Sequence, residues 1–530
     1  MELKWFVNDL QGSVILTPGA NIIQVPVQPG EIIRRAEASL HVPPSPKMFF
    51  NGYQTWTHSP EFTPKDKIRG LHGLPKAGVR LLGLDHFADY HFVNYPNEKG
   101  ILHGFSYCYF RSGTFYKLFS SLDEATGYTV FTYDSAKQTL YLKRDCMGVV
   151  VQDREFPAFE LFYAEGSEDE VFDRWFDAMG IHNKPAELMG YSSWYNHYQK
   201  ITETKIRDDL DGAKKVFEPG DLFQIDDGWE PYVGDWEQTD LKKFPNGLSP
   251  IVKEIHDSGF RAGLWLAPFV CEKRSRIYKE HPDWLLRYKG KPWKGGPNWG
   301  GHYSLDIDHP EVIAYLRRVF ERIFDEWHFD LVKLDFLYAA APFATGDHGM
   351  PEDAPFMESR AGRMIRALKF LRELCRDKLI LGCGVPVMPA FGLVDYCRVG
   401  SDVSLDWDDM LIMRAIHRER VSTRQSINNT IFRRQLNGRA YGSDPDVFFL
   451  RDHNLSLTKE EKEYHAVVNA LLGSVWLTSD NLNRYDEEKI RRYKHFARLK
   501  NAENITVDPD TLTVTYELDG VQYTLKHPHQ

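Results

Sequence analysis

The segment Leu222-Phe223-Gln224-Ile225-Asp226-Asp227-Gly228-Trp229 decides the fold of this chain. It is a short apolar run, of the length of a buried strand, that leads directly into two carboxylates. From about residue 186 onward such runs recur, and amphipathic helical patterns separate most of them. The eight predicted strands lie near Gly190–Trp194, Leu222–Asp226, Arg261–Ala267, Leu331–Asp335, Leu379–Cys383, Tyr396–Gly400, Arg439–Gly442 and Val475–Ser479. This alternation indicates βα units, and eight of them within roughly 300 residues predict a (β/α)8 TIM barrel.

The segments on either side of the barrel are β-rich. Before it, runs such as Thr129–Tyr133 alternate with turn formers such as Pro18-Gly19, which predicts an antiparallel sandwich. After it, the strand patterns Thr511–Glu517 and Val521–Lys526 flank Leu518-Asp519-Gly520, which predicts a hairpin. We therefore expect a multidomain protein with α/β and β parts. Its predicted domains are an N-terminal β-sandwich at 1–180, the barrel at 186–485 and a small C-terminal antiparallel β domain at 486–530.

Composition excludes several classes of protein. The chain has 530 residues, of which 42% are hydrophobic and 26% charged, and this excludes a disordered protein. A formal net charge of −10 argues against nucleic acid and against an anionic membrane as partners. No apolar run is long enough to span a bilayer, and Met1–Asp9 lacks the pattern of a secretory signal. The six cysteines are scattered, so we expect reduced thiols and a cytoplasmic protein.

The predicted strand ends collect the residues that carry chemistry, because the active sites of such barrels lie at that face. They supply four carboxylates, a lysine, an arginine and two tryptophans: Asp226, Asp227, Asp335, Asp402, Lys333, Arg398, Trp194 and Trp265. Carboxylates hydrogen-bond hydroxyl groups and tryptophan faces stack on C–H surfaces, so this combination is typical of a sugar site. A lone Asp at a strand end is explained equally well as the N-cap of the next helix, and Trp265 as barrel filler. The adjacent carboxylates Asp226 and Asp227 are harder to explain without a ligand or cation.

Two of these carboxylates suit the cleavage of a glycosidic bond. Asp335 follows Lys333 by two residues, and the lysine charge is expected to keep it ionised as a nucleophile. Asp402 lies in the looser segment Gly400–Ser404, where a protonated acid can reach the leaving oxygen. No convincing metal-ligand cluster accompanies these residues, and the scattered cysteines lack the spacing of a zinc site, so we predict neither a metal nor another cofactor.

The motifs that carry these residues resemble the α-galactosidases of glycoside hydrolase family 36, especially its short members. They follow the family's order over about 190–450 and comprise Ser193–Tyr195, Phe223–Trp229, Gly234–Trp236, Gly263–Phe269, His281–Trp284, Val332–Leu337, Leu381–Gly384, Arg398–Asp402 and Ser443–Asp446. Asn51–Trp56 is similar to the family's loop that reaches from the sandwich over the barrel mouth.

The resemblance implies a role for each matching position. Asp335 corresponds to the family's nucleophile and Asp402 to its acid/base. Asp226 and Asp227 correspond to the carboxylates that bind the galactose hydroxyls at C4 and C6. The resemblance also implies that Trp194 and Trp265 form walls of the pocket and that Trp56 caps the sugar. Lys333 and Arg398 would bind hydroxyl groups, and Cys383 and Asp446 are two further implied substrate contacts.

We therefore predict a retaining exo-α-galactosidase, a glycoside hydrolase of carbohydrate metabolism. It would release terminal α-linked galactose from oligosaccharides through a covalent galactosyl-enzyme intermediate. Cys383-Gly384-Val385-Pro386 departs from the family's loop near the C2 substituent, so an α-N-acetylgalactosaminidase is an alternative, as is a galactosyl transferase of the same clan. A catalytically silent galactoside-binding protein is the alternative from another class. The expected partner is a small-molecule α-galactoside, and the sequence does not determine the oligomeric state.

Overall fold

The computed structural model describes residues 1–71, 76, 78–80, 83–146, 148–288, 290–342, 357–408 and 418–529. The predicted fold class is confirmed, since an antiparallel sandwich, an eight-stranded parallel sheet and a small antiparallel sheet follow one another along the chain. Every helix among these residues is too short or too polar to cross a bilayer.

The N-terminal sandwich consists of two six-stranded antiparallel sheets. The first contains, in spatial order, Leu10–Ile15, Glu2–Val7, Ala36–His41, Thr139–Arg144, Thr129–Asp134 and Ile101–Phe105. The second contains Gly19–Pro26, Glu155–Gly166, Phe115–Ser121, Tyr107–Ser112, Lys47–Phe50 and Glu61–Phe62. Buried and exposed residues alternate along Gly19–Pro26, as expected for a strand with one face on a core. The two sheets enclose a common core to which Leu3 and Leu40 contribute from the first and Val25 and Met48 from the second.

The helix Glu168–Met179 connects the sandwich to the barrel. Ser167 and Glu170 form a capping box at its start, and Gly180 ends it with a φ of 66° that suits glycine. Its apolar face packs on the second sheet, and the Trp175 ring lies 5.8 Å from that of Phe391 in the barrel. Sandwich and barrel therefore share one continuous apolar core.

The barrel is built from eight parallel strands in chain order, and the first pairs with the eighth. Their bounds are Leu188–Ser192, Leu222–Ile225, Arg261–Leu266, Leu331–Leu334, Leu379–Gly382, Tyr396–Arg398, Gly442–Asp444 and Val475–Thr478. Between the seventh and the eighth strand, the Ser474 amide donates to the Ser443 carbonyl at 2.9 Å and nearly closes the sheet. The seventh strand begins three residues later than the sequence predicts, because the Arg439 guanidinium turns outward to bind Asp169 and Asp173.

Helices surround the barrel, and their bounds are Trp194–His197, Glu203–Val216, Ser249–Asp257, Arg276–Glu280, Pro310–Glu321, Arg360–Cys375, Thr423–Phe432, Lys459–Leu472 and Glu487–Ala497. Pro310–Glu321 buries an apolar face formed by Val312, Tyr315, Leu316, Val319 and Phe320, and a π-helical turn, Arg322–Glu326, follows it. The C-terminal sheet consists of Glu503–Asp508, Thr513–Leu518 and Val521–Leu525.

The connection between the third and fourth barrel strands is an excursion with strands of its own. Val270–Glu272, His302–Ser304 and Lys294–Gly296 form an antiparallel sheet, and Arg287–Tyr288 pairs with Lys291–Pro292. A 3₁₀ turn, Asn298–Gly300, follows the strand Lys294–Gly296 and brings Trp299 to the barrel mouth. The excursion thus supplies part of the wall of the candidate site.

Candidate active site

A cavity of about 330 Å³ opens at the carboxyl ends of the barrel strands. Nine of the eleven predicted site residues line it: Trp56, Trp194, Asp226, Asp227, Trp265, Lys333, Asp335, Asp402 and Asp446. The other two, Cys383 and Arg398, are buried behind this wall, where each bonds to a residue that lines the cavity. The structure therefore brings together residues from six of the eight strand ends and from a sandwich loop.

Asp226 lies at the centre of a buried polar group. Its Oδ2 accepts hydrogen bonds from Lys333 Nζ at 3.0 Å, Gln224 Nε2 at 2.8 Å and Ser192 Oγ at 3.3 Å. Burial lowers the pKa of Lys333, but the charges of Asp226 and Asp335 outweigh it and raise that pKa above its usual value. The lysine therefore carries its charge at neutral pH.

Asp335 accepts hydrogen bonds from two donors, one at each carboxylate oxygen. Trp265 Nε1 donates to its Oδ2 at 3.1 Å and the Phe336 amide donates to its Oδ1 at 2.8 Å. Phe336 has a φ of 53°, an uncommon left-handed conformation, and this turn brings its amide back to the carboxylate. The direct ion pair of Lys333 is with Asp226 rather than with Asp335, so Lys333 acts on Asp335 only at longer range.

Arg398 gathers three carboxylates around one guanidinium. Its Nε lies 2.9 Å from Asp444 Oδ2, its Nη1 3.0 Å from Asp402 Oδ1 and its Nη2 2.9 Å from Asp446 Oδ1. Arg398 and the carboxylates of Asp444 and Asp446 are buried, whereas 40% of the Asp402 side chain is exposed to the cavity. The arginine thus stabilises negative charge beneath the carboxyl that faces the cavity.

The pKa of Asp402 lies near neutrality. The removal of this carboxyl from bulk water and the neighbouring Asp446 charge raise the pKa of Asp402 to about 7, although Arg398 and Lys333 act to lower it. Asp446 behaves oppositely: burial raises its pKa, but Arg398, Lys333 and the Tyr195 hydroxyl more than reverse that effect and lower it. One of two neighbouring carboxyls therefore holds a proton at pH values where the other is ionised.

Trp56 reaches the cavity from the sandwich loop Asn51–Trp56. Its Nε1 donates to Cys383 Sγ at 3.4 Å, and burial raises the pKa of Cys383, so this thiol stays neutral. Gly384 has a φ of 57°, and a Cβ there would lie 2.6 Å from Trp56 Cζ2, so only glycine leaves room for the indole. The loop is anchored by the buried Arg433, which donates to Thr55 O at 2.6 Å and to Asn51 Oδ1 at 3.0 Å.

Three residues that contribute to this arrangement were not predicted from the sequence, namely Arg433, Trp299 and Glu230. Arg433 lies in an ordinary helical pattern and has no recognisable signal. Trp299 sits in the segment Pro297-Asn298-Trp299-Gly300-Gly301, where a lone indole among turn formers is a weak signal; its Nε1 donates to Asp227 Oδ2 at 3.0 Å. Glu230, next to the Asp226–Trp229 motif, is buried beside Asp227.

Glu230 and Asp227 form a buried carboxyl pair. Gln199 Nε2 donates to Asp227 Oδ2 at 2.8 Å, beside the Trp299 indole, while Asp227 Oδ1 is buried and accepts no hydrogen bond from an N–H or hydroxyl of the described residues. Burial, and then the adjacent Asp227 charge, raise the pKa of Glu230 well above its usual value. A protonated Glu230 can donate to Asp227, and this satisfies the pair.

Comparison with known proteins gives the same assignment as the sequence motifs. Residues 181–343 match the family model Melibiase. An α-galactosidase of Lactobacillus acidophilus, Mel36A, is 32% identical over 151 residues, which cover 27% of this chain and 20% of that protein. The chain thus matches about a fifth of the length of the first curated relatives.

Solved structures extend the similarity beyond the barrel. The α-galactosidase TtGalA of Thermus thermophilus, solved in complex with p-nitrophenyl α-D-galactopyranoside, has a TM-score of 0.74 and 25% identity, covering 96% of this chain and 97% of that one. The family 36 α-galactosidase AgaA of Geobacillus stearothermophilus has a TM-score of 0.63 and 14% identity, covering 97% and 73%, and shares the fold. The predicted resemblance to family 36 α-galactosidases is confirmed.

Proposed function

We propose that this chain is a glycoside hydrolase, an exo-α-galactosidase that acts with retention of anomeric configuration. The observation that carries the proposal is the pair Asp335 and Asp402, which line one cavity. Burial and the neighbouring Asp446 charge raise the pKa of Asp402 to about 7, as suits the proton donor of the pair. Similarity to α-galactosidases, including one solved with a nitrophenyl α-galactoside, supports galactose as the sugar. The six cysteines, all buried and free, support a cytoplasmic location.

In the first step, a carboxylate oxygen of Asp335 attacks the anomeric carbon. The bond from that carbon to the leaving oxygen breaks, and the proton of Asp402 moves to the leaving oxygen. The Trp265 and Phe336 N–H groups orient the attacking carboxylate. A pKa of about 7 lets Asp402 carry its proton below neutrality, as a general acid requires.

In the second step, Asp402 acts as a base. Its carboxylate takes a proton from water, whose oxygen bonds to the anomeric carbon and displaces Asp335. Galactose leaves with its original configuration, and Asp402 is protonated again. The Arg398 guanidinium stabilises the carboxylate form of Asp402 between the two steps.

The remaining cavity residues fit recognition of galactose. Asp226 and Asp227 accept hydrogen bonds from its hydroxyl groups, with Lys333 as a neighbouring donor. Trp194 and Trp265 form aromatic walls, while Trp56 covers the ring from the sandwich side. The cavity volume of about 330 Å³ and the Trp56 indole in its wall support a preference for a terminal sugar.

The proposal is tested by activity on p-nitrophenyl α-D-galactopyranoside, with the first-formed anomer identified by NMR. The α-anomer is expected first. Asp335→Ala is expected to lower kcat by several orders of magnitude with an unchanged circular dichroism spectrum, and added azide should yield β-galactosyl azide, which identifies Asp335 as the nucleophile. Asp402→Ala should lower activity far more on raffinose than on the nitrophenyl substrate, because only the sugar leaving group needs the proton.

Asp283→Ala, which removes an exposed carboxylate, is the control and should leave activity unchanged. A β-anomer as first product, or Asp335→Ala activity within tenfold of wild type, contradicts the mechanism. Parallel assays on the N-acetylgalactosaminide identify the galactosaminidase alternative, and sugar products longer than the substrate identify a transferase. Calorimetric binding of galactose without turnover of any α-galactoside identifies the silent binding protein.

A further inference from the structure

Three side chains of one sandwich loop bring metal-ligand atoms together outside the cavity. Asp85, His86 and His91 each offer one ligand atom, and these three atoms lie within 4.8 Å of one another. Asp85 is buried and the two histidines are half-buried. Two imidazoles and one carboxylate are a donor set that suits zinc and neighbouring divalent metals.

The carboxylate of Asp85 is only partly satisfied by the protein. Its Oδ2 lies 3.1 Å from His91 Nε2 and 3.9 Å from Arg80 Nε. Its Oδ1 is buried and accepts no hydrogen bond from the described residues. A buried carboxylate oxygen without a donor costs free energy, and a cation bound at this oxygen would offset that cost.

The hydrogen bond of His86 leaves a lone pair on the ring nitrogen that lies near that same oxygen. His86 Nδ1 bonds to the Lys294 carbonyl, which can only accept, so Nδ1 carries the proton and neutral Nε2 does not. His86 Nε2 lies 3.9 Å from Asp85 Oδ1, which is too long for a hydrogen bond. Two ligands that each lie about 2.0–2.2 Å from one zinc ion span such a distance. A backbone carbonyl on the second ring nitrogen is also the usual partner of a metal-binding histidine.

We propose that Asp85, His86 and His91 bind one divalent transition-metal ion, with zinc as the best match and water completing the coordination. The ion acts as a structural connection and takes no part in the reaction. The His86 ring stacks on Trp293 at 4.5 Å, so the site joins the sandwich loop to the excursion that carries Trp299. Phe87, which follows His86 in the chain, lines the active-site cavity. Metal binding at this site therefore orders the mouth of that cavity.

The competing explanation is a plain ion pair, in which a protonated His91 and Arg80 neutralise Asp85. That arrangement leaves Asp85 Oδ1 without a donor and gives no reason for the orientation of His86. The two explanations differ in one measurable property, which is stoichiometric metal binding.

The experiment uses the full chain, stripped with EDTA, dialysed, and titrated with zinc chloride by calorimetry and with cobalt chloride by visible absorbance. Wild type is expected to bind one ion per chain, with cobalt bands typical of low coordination and a Tm that rises with zinc. Asp85→Asn and His91→Gln should each weaken binding at least about tenfold. His256→Ala, which removes a partly exposed histidine paired with Asp330, is the matched control and should bind like wild type.

The Tm of each variant in EDTA shows whether it folds, so lost binding can be separated from lost structure. Wild type that binds no ion, or Asp85→Asn and His91→Gln variants that bind it as wild type does, overturns the proposal. Weakened binding in His256→Ala places the metal elsewhere and has the same consequence. None of these readouts uses a sugar, so failure here is independent of the proposed glycosidase activity.

Discussion

Asp402 and Asp446 bind the same guanidinium: Arg398 Nη1 lies 3.0 Å from Asp402 Oδ1 and Nη2 2.9 Å from Asp446 Oδ1. Asp446 also accepts the Tyr195 hydroxyl at 2.6 Å and the Val403 amide at 2.9 Å. These donors favour the ionised form of Asp446, whose charge in turn disfavours ionisation of Asp402. The shared arginine thus holds two carboxyls of unequal pKa, and the more basic one faces the cavity.

Replacing the buried partner should therefore move the pH profile. In wild type, kcat/KM should fall as pH rises through about 7, where Asp402 of the free enzyme loses its proton. Asp446→Asn removes a neighbouring negative charge and frees Arg398 for Asp402, so both changes lower the pKa of Asp402. The alkaline limb of kcat/KM against pH is expected to move to lower pH by about one unit or more.

Asp444→Asn is the matched control, because Asp444 bonds the Nε side of Arg398 at 2.9 Å. Asp444→Asn removes a carboxylate from the same guanidinium, but Asp446 is the carboxylate that acts most strongly on Asp402. The alkaline limb of the Asp444→Asn pH profile should therefore move much less. An alkaline limb that stays in place in Asp446→Asn, or that moves equally in both variants, would show that Asp402 is not the titrating acid.

The barrel was predictable because its strands are short, buried and apolar, and helices separate them. The seventh strand begins later than the sequence predicts because Arg439, a charged residue within the predicted strand, bonds Asp169 and Asp173 at the surface instead of entering the barrel sheet. The cavity positions of Asp226 and Asp335 were predictable because each directly follows a buried apolar strand, and such a position can be recognised from the sequence alone. Asp402 lies in the loop after the sixth strand, Tyr396–Arg398. The domain limits at 180 and 485 and the roles of the site residues stay predictions.

The supporting residues were not predictable, because two of them bond partners that are distant in sequence and the third depends on burial. Arg433 bonds Thr55 across 378 positions, and Trp299 bonds Asp227 across 72. Glu230 has a perturbed pKa only because folding buries it beside Asp227. Neither periodicity nor strand-end position encodes such contacts. The Arg433–Thr55 bond forms when sandwich and barrel pack together, and the contacts of Trp299 and Glu230 form when the barrel folds with its own loops.

The buried pair Lys333–Asp226 should be essential to stability as well as to binding. Lys333→Met leaves the Asp226 carboxylate buried without its cation, and this is expected to cost about 3–5 kcal/mol. The double variant Asp226→Asn/Lys333→Met should recover part of that loss, because it removes the uncompensated charge. Urea denaturation of the wild type, the single variants and the double variant measures this coupling.

The exposed pair Lys253–Asp257 provides the comparison, since both side chains are more than half exposed. Lys253→Met should cost about 0.5 kcal/mol or less. Equal losses in Lys333→Met and Lys253→Met, or additive losses in the double variant, would mean that the Lys333–Asp226 contact carries no special energy.

Glu230 should make the protein less stable as pH rises. Its pKa is raised in the folded state, so between about pH 4.5 and that raised value the folded chain binds a proton that the unfolded chain has released. Stability falls with pH over that range. Glu230→Gln keeps a donor to Asp227 and has no proton to lose, so its Tm advantage over wild type should grow from pH 5 to pH 8.

Glu230→Leu tests the hydrogen bond, because leucine cannot donate to Asp227 and leaves Asp227 Oδ1 without a donor. This variant should lose activity by about tenfold or more, while Glu230→Gln stays close to wild type. Tm curves of wild type and Glu230→Gln that run parallel with pH would show that Glu230 is ionised in the folded protein.

Gly384 should control the position of the Trp56 indole. Gly384→Ala places a Cβ where Trp56 Cζ2 lies 2.6 Å away and also forces alanine to a φ of 57°, so the indole must move. We expect kcat/KM on the nitrophenyl galactoside to fall on the order of tenfold to a hundredfold, because the wall that covers the sugar is displaced. Gly392→Ala is the matched control: its φ is 69°, but its nearest neighbour is Ile181 Cγ2 at 3.7 Å. Both variants should lose about 1–2 kcal/mol of stability from the backbone alone, so a fall in kcat/KM confined to Gly384→Ala isolates the contribution of Trp56, and equal falls would refute it.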